Sequence, residues 1–189
     1  GVILTPHASQ IVQIALCGDT LVSVALDRTV AIGSLRHGRT HVTFPTPRHG
    51  APLAVAVSPQ GSVYLCLRHD ADGPGAHPDV SVARVSRTGK TLKLVPSEEA
   101  ANCVIMTPDA GSVVCGGGAG VVVVRDAVDL SPRVQFSAQP GTPIRSLAFS
   151  SGLSHLFVGR ANGSLDVVTN AAHTTAAVWN LFLDNFSVH

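Results

Sequence analysis

Aromatic side chains are scarce: six Phe, one Trp and one Tyr make up 4% of the 189 residues, and charged residues make up 13%. A core with so few rings must be assembled from Val, Ala, Leu and Ile, which suits many short β-branched strands better than a few aromatic-rich layers. Positive charge is also thin. The formal net charge is +1, and Arg28, Arg68, Lys90 and Arg145 are scattered singly. No strip of potential dense enough for a phosphate backbone is present, so no nucleic-acid partner is expected. Long apolar runs are missing too. The longest weakly polar stretch, Val113 to Val124, is broken by Gly116, Gly117, Gly118 and Gly120 and falls short of the roughly 20 residues that span a bilayer. Direct membrane insertion is not expected. Gly1 to Pro6 has neither the basic flank nor the apolar run of a secretory signal, and an opening Gly is what a processed or excised piece would show.

What is present is apolar and repetitive. Hydrophobic residues are 45% of the chain, so a disordered segment is excluded and one well-buried core is within reach. Cys17, Cys66, Cys103 and Cys115 each sit inside an apolar stretch. Their spacing resembles neither a secreted disulfide framework nor the Cys-x-x-Cys of a zinc site, so four free, buried thiols in a reducing cytoplasmic setting are expected.

A strand–turn–strand plan recurs at Leu21 to Leu35, Ser112 to Asp126 and His155 to Thr169. A short apolar strand ending in a Pro- or Gly-marked turn precedes the later units: Val55 to Gly61, Val104 to Gly111 and Leu147 to Gly152. The residues after each third strand, Gly33, Ala83, Arg125 and Val168, are about 50, 42 and 43 positions apart, beside the roughly 40–45 of a WD40 blade. An insertion at His69 to Asp79 accounts for the longer first interval. Fourth strands follow at His41 to Phe44, Thr91 to Val95 and Arg133 to Phe136, with the last at Thr174 to Val178. No helix is expected, because Gly or Pro interrupts nearly every window of helical length. The sequence thus predicts an all-β, WD40-type β-propeller of about four four-stranded antiparallel blades, near 11–44, 51–95, 102–136 and 144–178, filling residues 1–189. Four blades are few for a closed ring, so these are expected to belong to a larger, seven-bladed propeller, and a fragment with open edges is expected to self-associate.

The order Gly89-Lys90-Thr91-Leu92, Asp109 to Gly117, Gly120 to Val124, Ile144-Arg145-Ser146-Leu147 and Gly163-Ser164 resembles the C-terminal propeller of the neurobeachin/beige (BEACH–WD40) family. The likeness runs from Arg87 to Trp179; the first 80 residues match only as generic blades. It implies BEACH and pleckstrin-like domains upstream, a cytoplasmic chain peripheral to membranes through the full-length protein, and a role in vesicle trafficking and membrane-protein sorting. The chain departs from the wider WD40 pattern where Trp-Asp should stand. Gly33-Ser34, Ala83-Arg84, Arg125-Asp126 and Val168-Thr169 replace it, and Asp126 alone matches. Asp27 keeps the position of the family's structural hydrogen-bonding Asp.

Gly116 to Gly120 has the glycine content of a phosphate loop, but it leads into Val121 to Val124, a strand and not a helix, and reads as a hairpin. His69, Asp70, Asp72, His77 and Asp79 carry metal-ligand chemistry on a loose Pro/Gly insertion, which leaves a propeller enzyme or metal-binding module as the alternative function. No nucleophile elbow or zinc-protease motif occurs, and Glu98-Glu99 are sequence neighbours that point apart. The other histidines, His7 among them, are expected at surface or capping positions. The leading expectation is a non-catalytic scaffold with no cofactor that binds other proteins. Its binding face is built from second-to-third-strand turns and interblade links: Arg28, Arg48, His49, His69, Asp70, Asp72, His77, Glu98, Glu99, Arg160 and Asn162, with Asp27 as a structural turn residue.

Overall fold

The computed structural model describes residues 6–70, 79–97, 101–137, 139–150, 155–170 and 186–188. Among the described residues, Val- and Ala-rich segments punctuated by Gly, Pro and Asp turns give sixteen strands in four antiparallel sheets, each formed by four strands consecutive among them. Sheet 1 holds β1 (Ile11–Cys17), β2 (Thr20–Ala25), β3 (Thr29–Ser34) and β4 (Arg39–Pro45). Sheet 2 holds β5 (Ala51–Val57), β6 (Val63–Arg68), β7 (Val80–Val85) and β8 (Thr91–Ser97). Sheet 3 holds β9 (Ala101–Met106), β10 (Ser112–Gly117), β11 (Val122–Asp126) and β12 (Pro132–Phe136). Sheet 4 holds β13 (Ile144–Phe149), β14 (His155–Arg160), β15 (Leu165–Asn170) and β16 (Phe186–Val188). A 3-10 turn at Pro47–His49 lies in the link between sheets 1 and 2.

The sheets repeat one another down to their irregularities. Near its start each first strand carries one unpaired residue opposite none on its partner: Val12, Leu53, Asn102 and Arg145. The fourth strands of the first three sheets do the same at His41, Leu92 and Arg133. A bulge at a fixed place adds local twist, so the first three sheets share both devices.

Side chains alternate between two sheet faces, and the apolar sets interleave between successive sheets. Val22, Val24, Val30 and Ile32 of sheet 1 meet Val55, Val63, Leu65 and Ala83 of sheet 2. Ala54, Ala56, Tyr64 and Cys66 meet Val104, Val113, Cys115 and Leu130. Val114, Val122 and Val124 meet Ile144, Leu156, Val158 and Val168. Each fully buried aliphatic side chain contributes about 1.5–3 kcal/mol. The first strands pack in series, β1 on β5, β5 on β9 and β9 on β13, whereas among the described residues no comparable packing joins β13 to β1. On β1 the outward Ile14 and Leu16 are 61% and 56% exposed.

Two expectations change. The fourth strand of sheet 4 is Phe186–Val188, which pairs with Val168 to Asn170; the segment expected to pair, 174–178, lies outside the described residues. Three thiols are buried and free, but Cys17 is free and only half-buried, because β1 is an edge strand whose neighbours cover one side.

Candidate protein-binding face

In an antiparallel sheet of order 1-2-3-4, the turn between the second and third strands and the link to the next sheet emerge at one end. The turn between β2 and β3 is fixed by Asp27, whose carboxylate accepts from the Thr29 amide (3.1 Å), the Thr29 hydroxyl (2.6 Å) and the Ala8 amide (2.7 Å). Burial alone would raise the Asp27 carboxyl, but these bonds and the nearby His7 outweigh it and hold it below its ordinary value. Arg28, next in the turn, adopts φ 62°.

From that turn Arg28 reaches across to its neighbours. One guanidinium nitrogen donates to the His49 carbonyl at 2.9 Å and another to the Asp70 carboxylate at 2.9 Å, while its own carbonyl accepts from the Thr46 amide. The sheet 1 turn, the 46–50 link and the start of the β6–β7 loop therefore form one surface. Arg48 and His49, both exposed, stand on it in left-handed conformation, held by the Thr46 hydroxyl on the Gly50 carbonyl. His69 turns inward: its Nε2 is hydrogen-bonded to the Ser81 hydroxyl at 2.7 Å. Its ring fills the space where a Cβ on Gly50 would stand, 2.8 Å from His69 Cε1. Asp70 is taken up by Arg28, and among the described residues no His, Cys, Asp and Glu group of three or more is arranged to hold a metal. Asp72, His77, Glu98 and Glu99 lie outside the described residues.

At the junction of sheets 3 and 4 the same end is knitted more tightly. The Gly116–Gly120 segment is a β10–β11 hairpin, with Gly116 paired to Val122. Arg160, expected on the open face, is instead buried, its side chain 1% exposed. It donates to Asp166 and to the carbonyls of Gly120, Gln139 and Thr142. The link folds over it, so Arg160 builds the face and does not meet a partner. Asn162 is exposed and donates to the Gln139 side chain at 3.3 Å.

His7 corrects a second expectation, for it is no surface residue. Its ring bridges Ser23 Oγ and Thr29 Oγ1, each at 2.7 Å, and lies 3.7 Å from Asp27. The Ser–His–Asp composition is that of a nucleophilic triad, but Ser23 is 7% exposed and the His7 side chain 2%, so no substrate reaches the hydroxyl. The pattern has no local spacing, since His7 lies 16 and 22 positions from its partners, and only a repeat-aware alignment of the link before β1 would have found it. β1, β5 and β9 line a groove of about 410 Å³ that is largely apolar, with Val55, Val104, Ile105 and Met106 on its walls.

No family model matches the sequence, and no curated protein does. Among solved structures, the crystal structure of the computationally designed Ika4 protein aligns with 89% of this chain and 96% of its own at a TM-score of 0.67 and 18% identity. In all, 1159 solved chains match, so the arrangement is widely shared and speaks for fold alone. The chain is all-β, with four antiparallel sheets stacked in series. Among the described residues no helix is long and apolar enough to cross a membrane.

Proposed function

We propose that the four sheets are blades of a WD40-type β-propeller acting as a non-catalytic protein-interaction scaffold. The observation that carries this reading is the Arg28 span from its own turn to His49 and Asp70, which makes one surface of three loops on a rigid base. Exposed Arg48, His49, Asp70 and Asn162 give it the mixed polarity of an interface rim. The serial packing of first strands and the uncovered Ile14 and Leu16 support a ring with further blades, seven in all. The resemblance to the neurobeachin/beige family supports a cytoplasmic chain that follows BEACH and pleckstrin-like domains and serves vesicle trafficking and membrane-protein sorting.

The test is affinity capture from a cytosolic extract. Arg28→Glu, Arg48→Glu and Asp70→Arg are compared with Arg36→Glu and Lys90→Glu, exposed residues of turns at the opposite end. The Arg28–Asp70 pair has side chains 38% and 75% exposed, so its loss costs at most about 1 kcal/mol, or about 3 °C in melting temperature. The expected result is that face variants lose the bound protein while melting within that range and the opposite-end variants keep it. Equal capture by all five overturns the assignment of this face.

A further inference from the structure

Among the described residues two arginines are buried, Arg125 and Arg160, at 7% and 6% exposure, and their surroundings differ. Arg160 has the Asp166 carboxylate and three backbone carbonyls. Arg125 on β11 has one carbonyl: its Nη1 donates to Leu130 at 3.0 Å. Its Nε is the single buried side-chain nitrogen or oxygen among the described residues that has no hydrogen-bond partner. Among those residues no carboxylate stands within ion-pairing distance of the guanidinium either. Asp126, next in the strand, points to the opposite face and is taken up by Arg133. A buried guanidinium left without a counter-charge is costly unless an anion reaches it.

The register places this cation in a groove. Val123 projects from the same face of sheet 3 as Arg125, two residues on, and Gln135 on β12 is the strand partner of Val123. Across from them, Val95 on β8 packs on the apolar layer between sheets 2 and 3, and Lys93, two residues earlier, shares its face. Together with Asp129 to Pro132 of the β11–β12 turn, these residues line a groove of about 490 Å³ between the outer strands of the two sheets. Lys93, Asp129, Ser131 and Gln135 are exposed, so the groove opens to solvent, while Val123, Arg125 and Leu130 are its buried members.

The groove carries two cations, Lys93 and Arg125, and one carboxylate. That carboxylate, Asp129, accepts from the Ser131 amide at 2.8 Å. It is held below its ordinary value by Ser131 first, with Lys93 adding to the effect. One positive charge is left over, which a monoanion balances. With Nη1 committed to Leu130, the other edge of the Arg125 fork, Nε with Nη2, offers two parallel N–H bonds spaced to match the two oxygens of a carboxylate.

We propose that this groove is a binding site for a carboxylate, gripped side-on by the Nε edge of Arg125 with Lys93 at the mouth and Ser131 and Gln135 as further donors. Because Nε is covered in the unliganded chain, a ligand reaches it as the exposed side chains around it give way, which favours a slender acid over a bulky one. The carboxylate belongs to a small organic acid or to an acidic side chain of a partner protein. The site is separate from the loop face that carries Arg28 and Arg48.

The Nε–H resonance of Arg125 in isotope-labelled protein is assigned as the signal missing from Arg125→Lys, then followed as sodium acetate replaces sodium chloride at constant ionic strength and neutral pH. The expected result is a shift that saturates. Lys93→Gln should weaken the apparent affinity about threefold, as loss of an exposed charge partner does, and Arg87→Gln, an exposed cation outside the groove, should leave it unchanged. As a readout that needs no assignment, acetate should raise the melting temperature of the wild type, and that of Lys93→Gln less. A blocked Gly-Glu-Gly peptide that binds more tightly than acetate identifies the acidic side chain of a partner protein as the source, and equal or weaker binding identifies a free small acid. The proposal fails if the shift grows without saturating, if acetate stabilises the wild type no more than chloride does, or if Lys93→Gln and the wild type give one curve. Tighter binding of inorganic phosphate than of acetate overturns the assignment to carboxylates.

Discussion

The Arg160 guanidinium lies against the Asp166 carboxylate at 2.5 Å, with side chains only 1% and 8% exposed. Three backbone carbonyls from two other segments converge on the same arginine. Removing one member of a buried pair strands the other charge away from water, which typically costs about 3–5 kcal/mol. Arg160→Ala and Asp166→Asn should each lower stability by roughly that much, read as a shift of the urea midpoint. The double variant Arg160→Met/Asp166→Leu should recover most of the loss. A cost under about 1 kcal/mol for Arg160→Ala would mean that water and the Gln139 side-chain amide, which donates to Asp166, satisfy the carboxylate without it.

Two hairpin glycines separate conformational strain from collision. Gly163 sits at φ +85° with open space where a Cβ would stand, whereas Gly120, at φ +84°, would place its Cβ 2.6 Å from the Gln139 carbonyl oxygen and 2.7 Å from that of Thr142. Gly163→Ala should cost about 1–2 kcal/mol from backbone strain alone, and Gly163→Asn less. Gly120→Ala should cost more than Gly163→Ala, because the link between sheets 3 and 4 must also move. Chemical denaturation of the two alanine variants gives the comparison directly, and equal costs would show that the link yields freely.

Acid should act through Asp27. Its folded pKa is depressed, so its stabilising contribution is present above the unfolded value, about 3.9, and is lost as pH falls through the lower folded value. Wild-type protein and Asp27→Asn should differ in melting temperature at neutral pH and converge as the pH drops below about 4. A difference that persists unchanged in acid would assign the effect of the substitution to packing and not to charge.

Much of the strand pattern was legible, because turn residues with mechanical roles mark the ends of most strands. Asp27 and Arg28 close the β2–β3 turn, and Gly61, Gly89, Gly120 and Gly163 take the positive φ that turns require. The missing Trp-Asp mark has a physical counterpart at Gly33, where a Cβ would stand 2.6 Å from the Arg39 carbonyl oxygen, so no indole fits there. The bulges could not be read, since skipping Val12 or Asn102 leaves an apolar run that looks unbroken. Arg160 looked like a hairpin surface residue because its burial is set by Gln139 and Thr142, about twenty residues earlier. His7 was hidden for the same reason.

Serial stacking also sets how the molecule comes apart. Every apolar layer joins a sheet only to its immediate neighbours, so cooperativity is passed along a line, as in a one-dimensional array of coupled units. Sheets 2 and 3 are coupled on both sides. Sheets 1 and 4 have one such coupling each among the described residues and open without disturbing the middle. Amide hydrogens of β6 and β10 should therefore exchange last, through global unfolding, while those of β2 and β14 exchange earlier through partial opening. The loop face spans this gradient: Arg28 and Arg48 ride at an end unit and Asp70 on an inner one, so a partner that grips all three clamps one of the two end couplings of the array.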